Sequence, residues 1–294
     1  MANKLDKDIP PAIDRVADLA MKLSRRHLAD YGATTSRHDF TQCQLMTCLV
    51  LRAYLKATYR GVIEMLGVSS QLRERLGLTD KLPHYTTLQK FSARSDVLAI
   101  AQKLVETIGK AAAAQAPEPA AAAMDSTGLE LTTASAYFRS RRGKGTVKKW
   151  VKVSVMVFCG SLLPLALEVS MGPRNDCTQV PGLLAQAQAV TRPQRLYADA
   201  GYDAEWIHQH CREQWQVESI IKPITRRADG QRKGKYRAQM SDEHLRQRGY
   251  GQRWAVESFF SALKRTMGSA LRARRPDQMI AEATFRVLAY TLRR

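Results

Sequence analysis

The chain has 294 residues, 45% of them hydrophobic, and is long enough to bury one substantial core together with a smaller one. It carries 46 Lys and Arg against 27 Asp and Glu, a net charge of +19. This composition excludes a disordered basic tail and favours a folded protein that binds a polyanion. The five cysteines are irregularly spaced and include no CxxC pair, which argues against a disulfide or zinc framework.

The positive charge is concentrated in two regions. Residues 222–294 hold 18 basic and 6 acidic side chains. The other region has no acid between Glu130 and Glu168, and it contains Arg139, Arg141, Arg142, Lys144, Lys148, Lys149 and Lys152. Two separate basic surfaces suggest a long polyanion such as double-stranded DNA, while ordinary solvated basic faces are the simpler alternative.

The first part of the chain has a helical pattern. Thr41 is placed to cap a helix in which Leu45, Leu49 and Leu55 recur at helical spacing, and shorter helices are predicted up to about residue 115. The stretch AAAAQAPEPAAAA, residues 111–123, ends this part because its prolines cannot continue a helix. We therefore predict an all-α N-terminal domain over residues 1–116 and a second domain over residues 117–294.

Beyond this boundary the hydrophobic period changes from that of helices to that of strands. The stretches AAAMDSTGLEL, WVKVSVMVFCG and LLPLALEVS read as three consecutive strands. Helices are then predicted at residues 177–190 and 203–215, and strands at RLYAD and VESIIKP. Three strands followed by strands that alternate with helices predict an α/β fold, with a mixed sheet flanked by helices.

Two stretches of the second domain contain acidic residues that are candidates for a catalytic role. Asp125 lies inside an apolar strand, where a carboxylate is costly unless it faces a cleft or a cation; a strand-end aspartate facing water is the alternative. In LYADAGYDAEW, Asp203 stands at the N-cap position of a predicted helix, which explains it sufficiently. Asp199 instead ends a strand, at the edge where α/β sheets place ligand crevices, so it is the better candidate.

The stretch YGQRWAVESFFSALK, residues 250–264, contains a third acid. On one continuous helix, Tyr250, Glu257 and Lys264 lie on a single line with Arg253 close to them. A separate apolar stripe is formed by Val256, Phe259, Phe260, Leu263 and Met267. The helix is therefore predicted to pack with one face and to present an acid between two cations on the next, although ordinary salt bridging at i,i+4 spacing is the alternative.

These acids and their neighbours together resemble the DDE transposases of bacterial insertion sequences. The residues that carry the resemblance are Asp125, Asp199 and Glu257, with Tyr250, Arg253 and Lys264 at Y-x2-R-x3-E-x6-K spacing. The resemblance extends from about Met124 to the C-terminus, and PHYTTLQKFSAR is similar to the stretch that precedes the catalytic domain in that family. PRNDCTQV departs from the family pattern because no histidine precedes Asp176.

The resemblance implies an RNase H-like catalytic domain preceded by an end-binding helical region. Asp125, Asp199 and Glu257 would be the catalytic residues and would hold two Mg²⁺ or Mn²⁺ ions, because carboxylates brought together need such compensation. Implied DNA-binding residues are Tyr250, Arg253, Lys264 and Trp254, the last of which is equally explained by packing. The basic residues Arg139, Arg141, Arg142, Lys144, Lys148 and Lys149 are expected to contact DNA as well.

The implied function is a DNA transposase that binds the ends of an insertion sequence, cleaves DNA and joins the 3′ ends to target DNA. We expect a homodimer on double-stranded DNA, a location in the bacterial cytoplasm at the nucleoid, and no membrane association. One alternative is an RNase H-like nuclease without strand transfer, and another is a non-catalytic domesticated DNA-binding protein. The HQHC stretch at residues 208–211 is a weak rival metal site, because it offers too few ligands.

Overall fold

The computed structural model describes residues 11–35, 37–116, 120–131, 150–224 and 232–294. The chain divides into two compact units. One comprises the residues up to Leu104 with Thr266–Gly268 and Arg275–Arg294, and the other comprises Val105–Arg265 with Ser269–Arg274. This is a division by packing; the functional division expected between residues 116 and 117 stays a prediction.

The helices and strands of the described residues follow one another along the chain in two groups. The helices are α1 (Ala12–Ser24), α2 (Gln42–Tyr54), α3 (Tyr59–Val68), α4 (Ser70–Leu76), α5 (Tyr85–Ser92), α6 (Ser95–Ala113), α7 (Val180–Val190), α8 (Glu205–Gln209), α9 (Asp242–Gln247), α10 (Trp254–Met267) and α11 (Pro276–Arg293). The strands are β1 (Ala121–Leu131), β2 (Trp150–Phe158), β3 (Pro164–Met171), β4 (Arg195–Ala198), β5 (Glu218–Ile221) and β6 (Ala270–Leu271).

Helix α2 is the centre of the first unit. Thr41 caps it as predicted: its Oγ1 accepts from the Gln44 backbone N–H at 3.2 Å, while Gln44 Oε1 accepts from the Thr41 N–H at 2.8 Å. This capping box satisfies two backbone donors that the first turn would otherwise leave unpaired. Helices α1 and α11 pack on α2, whose side chains Met46, Leu49 and Leu51 are buried.

The second unit contains the predicted mixed sheet, in the order β3-β2-β1-β4-β5 with β6 paired to β1. The pairs β1–β2 and β2–β3 are antiparallel, whereas β1–β4 and β4–β5 are parallel. Strand β6 was missed in the sequence, because two residues are too few to show a period. The fold class predicted for this part of the chain is confirmed: it is α/β, with helices against a mixed sheet.

A gap opens in the sheet between β1 and β4. Their parallel pairing ends at Met124 and Ala198, while β1 continues and is paired on that side again only at Glu130, by β6. Residues 125–129 of β1 therefore border a gap, the β1–β4 gap. Asp199, the residue that follows β4, lies at the mouth of this gap. Strand pairing alone thus places the residues after Met124 and after Ala198 side by side.

Two predicted helices begin later than the sequence pattern suggested. Residues 203–204 precede α8, which starts at Glu205 and continues into a π-helical turn at His210–Gln214. Likewise, Tyr250–Arg253 forms a 3-10 turn, and α10 begins only at Trp254. The apolar stripe predicted for α10 is confirmed, since all of its members are buried.

Several predictions lie outside the described residues. These include the basic residues Arg139, Arg141, Arg142, Lys144, Lys148 and Lys149. In the ranges that the structure describes, no helix is both long enough and apolar enough to cross a lipid bilayer.

Candidate active site

Asp125 and Asp199 meet at the mouth of the β1–β4 gap. Asp125 is the first residue of β1 beyond its pairing with β4, and Asp199 directly follows β4. The Asp125 side chain is 18% exposed, and its Oδ1 accepts from the Ser126 N–H at 2.7 Å. Burial raises the pKa of the Asp125 carboxyl to about 6, and the negative charge of Asp199 adds to the rise. The charge of Asp199 therefore acts on Asp125, as the pairing of β1 with β4 would place it to do.

The side chain of Asp199 is hydrogen-bonded to the turn that follows it. It is the N-cap of the 3-10 turn Ala200–Tyr202, and its Oδ1 accepts from the Gly201 N–H at 2.9 Å. One oxygen thus stabilises the turn. Because the residue is only half-buried, its carboxylate remains accessible at the edge of the sheet.

Asp203 has a different role from the helix cap that the sequence suggested. The residue before α8 is Ala204, which makes no side-chain cap, whereas Asp203 is buried. Its carboxylate accepts from Arg237 Nε and Nη2, each at 2.6 Å, and from the Ile224 N–H at 2.8 Å. Asp203 is therefore a buried anchor for the chain around Arg237, which leaves Asp199 as the chemically available member of the pair.

The 3-10 turn Tyr250–Arg253 packs against β1 and β4. It is held there from the β4 side, because Tyr197 Oη donates to the Arg248 carbonyl at 2.8 Å. Gly249, at φ +72°, supplies the left-handed backbone with which the turn begins. This turn brings the cation of the third motif to the strand acid: Arg253 Nη1 lies 3.6 Å from Asp125 Oδ2.

Arg253 also reaches the third acid. Its Nη2 donates to Glu257 Oε1, on the first turn of α10, where the Glu257 side chain is 54% exposed. One guanidinium therefore connects Asp125 with Glu257. The i,i+4 salt bridge that the sequence offered as an alternative is present, and it coexists with the contact to the strand.

The remaining residues of the third motif lie at different distances from the acids. Burial raises the pKa of the Tyr250 hydroxyl, and the charges of Arg253, Asp199 and Asp125 act on it, so Tyr250 lies within electrostatic range of the acids. Lys264 is half-buried on α10, two turns beyond Glu257. Trp254 is 56% exposed, so it is available for contact rather than packed in the core.

His208 and Cys211 belong to the core of the second unit. His208 is fully buried with Nδ1 2.8 Å from Ser219 Oγ, and desolvation lowers its pKa to about 4. Cys211 is buried as well, and desolvation raises the pKa of its thiol to about 12. Both side chains are thus explained by packing.

Sequence reasoning missed the burial of Lys152. Lys152, counted among the basic surface residues, is only 1% exposed, and its Nζ lies 2.5 Å from Asp176 Oδ1. Its position carried a signal: it shares a strand face with Met156 and Phe158, which are both core residues. A lysine on the core-facing side of a strand indicates a buried acid nearby.

The donors at this site are chemically suited to a hard divalent cation. Asp125, Asp199 and Glu257 supply carboxylate oxygens, which Mg²⁺ and Mn²⁺ prefer, and the desolvated charge of Asp125 beside Asp199 would be stabilised by such an ion. Among the described side chains, no three His, Cys, Asp or Glu groups lie close enough together to enclose a metal ion. Arg253 instead compensates the charges of Asp125 and Glu257.

Comparison with known proteins identifies one matching family. A family model described as a transposase DDE domain matches residues 116–292, which is more than half of the chain. A search of the curated proteins finds no match.

Proposed function

The chain belongs to the DDE transposase domain family, and from this premise we propose that it is an insertion-sequence transposase. It binds the ends of its element, cleaves DNA by phosphodiester hydrolysis, and joins the freed 3′ ends to target DNA. The place of action that we propose is the nucleoid in the bacterial cytoplasm.

One observation carries this proposal beyond the family match. Asp125 and Asp199 lie side by side at the mouth of the β1–β4 gap, and Arg253 joins Asp125 to Glu257. Three acids that are far apart in the sequence are therefore linked through one region of the fold. Their proximity supports catalytic roles for Asp125, Asp199 and Glu257.

In the proposed mechanism the three acids hold divalent cations, as DDE transposase domains generally do. We propose two ions, Mg²⁺ or Mn²⁺. When bound, such ions lower the pKa of the attacking water or 3′-hydroxyl and stabilise the leaving oxygen. The carboxylate of Asp125 is desolvated and fixed by the Ser126 N–H, so its position does not depend on solvent.

The cations of the third motif position the DNA. Arg253 is bound to two carboxylates, and a guanidinium can exchange such partners for a phosphate, which accepts the same paired hydrogen bonds. Lys264 would hold the backbone further along α10. Tyr250, within electrostatic range of the acids, orients the strand to be cut, and the exposed Trp254 stacks on an unpaired base.

The other parts of the chain serve recognition in this proposal. Residues 1–116 bind the terminal inverted repeats and mediate a homodimer, because two DNA ends must be handled together. Arg139, Arg141, Arg142, Lys144, Lys148 and Lys149 contribute phosphate contacts.

The proposal is tested with purified full-length protein, Mg²⁺ and a DNA fragment carrying both ends of the element. The expected products are nicks that leave 3′-hydroxyls at the element ends, followed by a species in which these ends are covalently joined to a target plasmid. Cut ends without joined product would support the nuclease alternative. Specific end binding without any cleavage in Mg²⁺ or Mn²⁺ would support the non-catalytic alternative.

A further inference from the structure

Three neighbouring strands each place a charged residue directly after the last row of their pairing. In that row Met124 of β1 pairs with Ala198 of β4, and Ala198 pairs with Ile221 of β5. The next residues of the three strands are Asp125, Asp199 and Lys222. Because paired strands lie about 5 Å apart, Lys222 is the neighbour of Asp199 on the side away from β1.

The side chain of Lys222 is directed away from the core of the second unit. Met124, Ala198 and Ile221 all belong to one buried cluster. Side chains alternate between the two faces along a strand, so the residue after each of them points to the opposite face. The Lys222 N–H donates to the Ala198 carbonyl at 3.4 Å, so the strand pairing extends through this residue. Lys222 is exposed, and it lines a cleft together with Tyr250.

This cleft lies between the end of β5, helix α9 and the 3-10 turn Tyr250–Arg253, and its volume is about 400 Å³. The lining residues are Lys222, Asp242, Leu245, Arg246, Tyr250 and Gly251. A Cβ built on Gly251 would meet no atom within 4 Å, so the cleft is open at this wall. Its volume is that of a pocket for a small ligand and is sufficient for one sugar–phosphate unit.

Helix α9 holds Arg246 at a defined place beside the sheet. The preceding residue, Leu245, is buried. Just after the helix, the Arg248 carbonyl accepts from Tyr197 Oη at 2.8 Å, and Arg248 Nε lies 3.1 Å from Glu218 Oε1. The backbone that carries Arg246 is therefore tied to β4 and to β5.

The cleft carries a net positive charge. Lys222 and Arg246 are exposed, and neither forms an ion pair with any side chain that the structure describes. Asp242, one helical turn before Arg246, lines the same cleft, so two positive charges stand against one negative charge. The nearby Arg195 differs, because it is ion-paired with Glu218. Unpaired cations in a concave wall favour an anionic ligand.

Tyr250 connects the cleft with the proposed catalytic acids. Its side chain lines the cleft, and the charges of Asp199 and Asp125 act on its hydroxyl, whose pKa is raised mainly by burial. An anion in the cleft would therefore lie next to the proposed cleavage site. A DNA strand carries one phosphate per nucleotide, so a strand cut at Asp125 and Asp199 presents its next phosphates along the same edge.

We propose that Lys222 and Arg246 form a phosphate-binding site, on the β5 side of Asp199, for the DNA backbone next to the phosphodiester that is cut. This inference rests on the proposed function. Arg253 contacts Asp125 at the other end of the same row of charged residues. The strand is therefore held by cations on both sides of the acids.

The first experiment measures how the affinity of the full-length protein for DNA depends on salt. The probe is a fluorescent duplex that carries one element end and its flanking DNA, in EDTA, and binding is followed by anisotropy. Loss of one phosphate contact should lower the slope of log affinity against log salt by about 1. We expect this for Lys222→Gln and for Arg246→Gln, with about 2- to 10-fold weaker binding. Lys222→Arg keeps the charge and should retain the wild-type slope.

Arg192→Gln is the matched control. Arg192 is likewise exposed and donates to Gln216 Oε1 at 2.6 Å, but it precedes β4, at the opposite edge of the sheet. Its slope should equal that of the wild type although the same charge is lost. All three cations are exposed, so the melting temperatures of the Gln variants should stay at the wild-type value. A wild-type slope in Lys222→Gln or in Arg246→Gln, or an equal fall in Arg192→Gln, would overturn the site.

A second experiment locates the bound phosphate. Single linkages of the end duplex are replaced by uncharged methylphosphonates on either side of the cut, whose position is mapped by cleavage in Mg²⁺. In the wild type, a replacement within about two nucleotides of the cut should weaken binding about 2- to 10-fold. In the double variant Lys222→Gln, Arg246→Gln the same replacement should have no further effect. Additive losses would place the contact elsewhere and overturn the proposal.

Failure of this inference is distinguishable from failure of the proposed function. If the wild-type protein binds and cuts the element end while both single variants keep its salt slope, the phosphate site alone is overturned. If the wild-type protein does not prefer the end duplex to a duplex of random sequence, end binding by the proposed transposase is overturned together with the site.

Discussion

Arg253 Nη1 lies 3.6 Å from Asp125 Oδ2, although 127 residues separate the two in the chain as numbered. The contact exists because a 3-10 turn, rather than a helix, carries Arg253 against the mouth of the β1–β4 gap. The same guanidinium bonds Glu257, so one cation compensates two of the three proposed catalytic acids. In the mechanism we propose, its release from these acids links DNA binding to the chemistry.

Removing the charge of any proposed catalytic acid should abolish cleavage without abolishing DNA binding. Asp125→Asn, Asp199→Asn and Glu257→Gln each retain the size of the side chain but lose a metal-binding carboxylate. End binding is measured by gel shift, and 3′-hydroxyl formation on a labelled element end measures cleavage. A variant that still cuts the end in Mg²⁺ at the wild-type rate would remove that residue from the catalytic set.

Arg253→Gln should slow cleavage about 100- to 1,000-fold, the cost of losing one well-placed electrostatic contact to the transition state. Binding of end DNA should weaken much less, because many other basic residues contact phosphate in the proposed complex. Arg265→Gln is the control, since Arg265 is exposed on α10, the helix that follows the turn of Arg253. Equal cleavage rates for the two variants, measured in single-turnover reactions, would refute the role of Arg253.

Asp125→Asn should stabilise the protein in the absence of divalent cations. The pKa of Asp125 in the folded protein, about 6, exceeds its ordinary value of 3.8, so folding disfavours the ionised form. The resulting cost, about 1–3 kcal/mol, is present above about pH 6 and disappears as the pH falls below about 4.

Thermal unfolding with EDTA is the measurement for this prediction. The melting temperature of Asp125→Asn should exceed that of the wild type at pH 8, and the difference should close on acidification. A lower melting temperature for the variant at pH 8 would show that the contact of Asp125 with Arg253 outweighs its desolvation.

Asp203→Asn should destabilise the protein without a direct effect on catalysis. Asp203 is fully buried and carries a two-point ion pair with Arg237, so breaking the pair leaves a buried guanidinium uncompensated, at a cost of about 3–5 kcal/mol. Glu213→Gln breaks the exposed pair with Lys235 and should change stability little. Urea unfolding measures both, and cleavage per folded molecule should stay at the wild-type level in Asp203→Asn.

Local sequence patterns were sufficient to predict much of the secondary structure of the second unit. The alternation in WVKVSVMVF predicted β2, and the apolar stripe from Val256 to Met267 predicted the buried face of α10, because these periods depend only on residues that are near in the chain. The preference for Asp199 over Asp203 also came from local turn chemistry. Asp203 nevertheless proved to be an anchor rather than a cap, since its partner Arg237 lies 34 residues away.

The sequence by itself determined most of the longer strands and helices and which acids end or interrupt a strand, because backbone geometry and side-chain alternation are properties of short segments. Only the tertiary structure decided that Lys152 is buried rather than exposed, that Tyr250–Arg253 leaves the helix, and that β1 and β4 part after Met124. Burial and charge pairing depend on segments distant in the chain, and no local period records them.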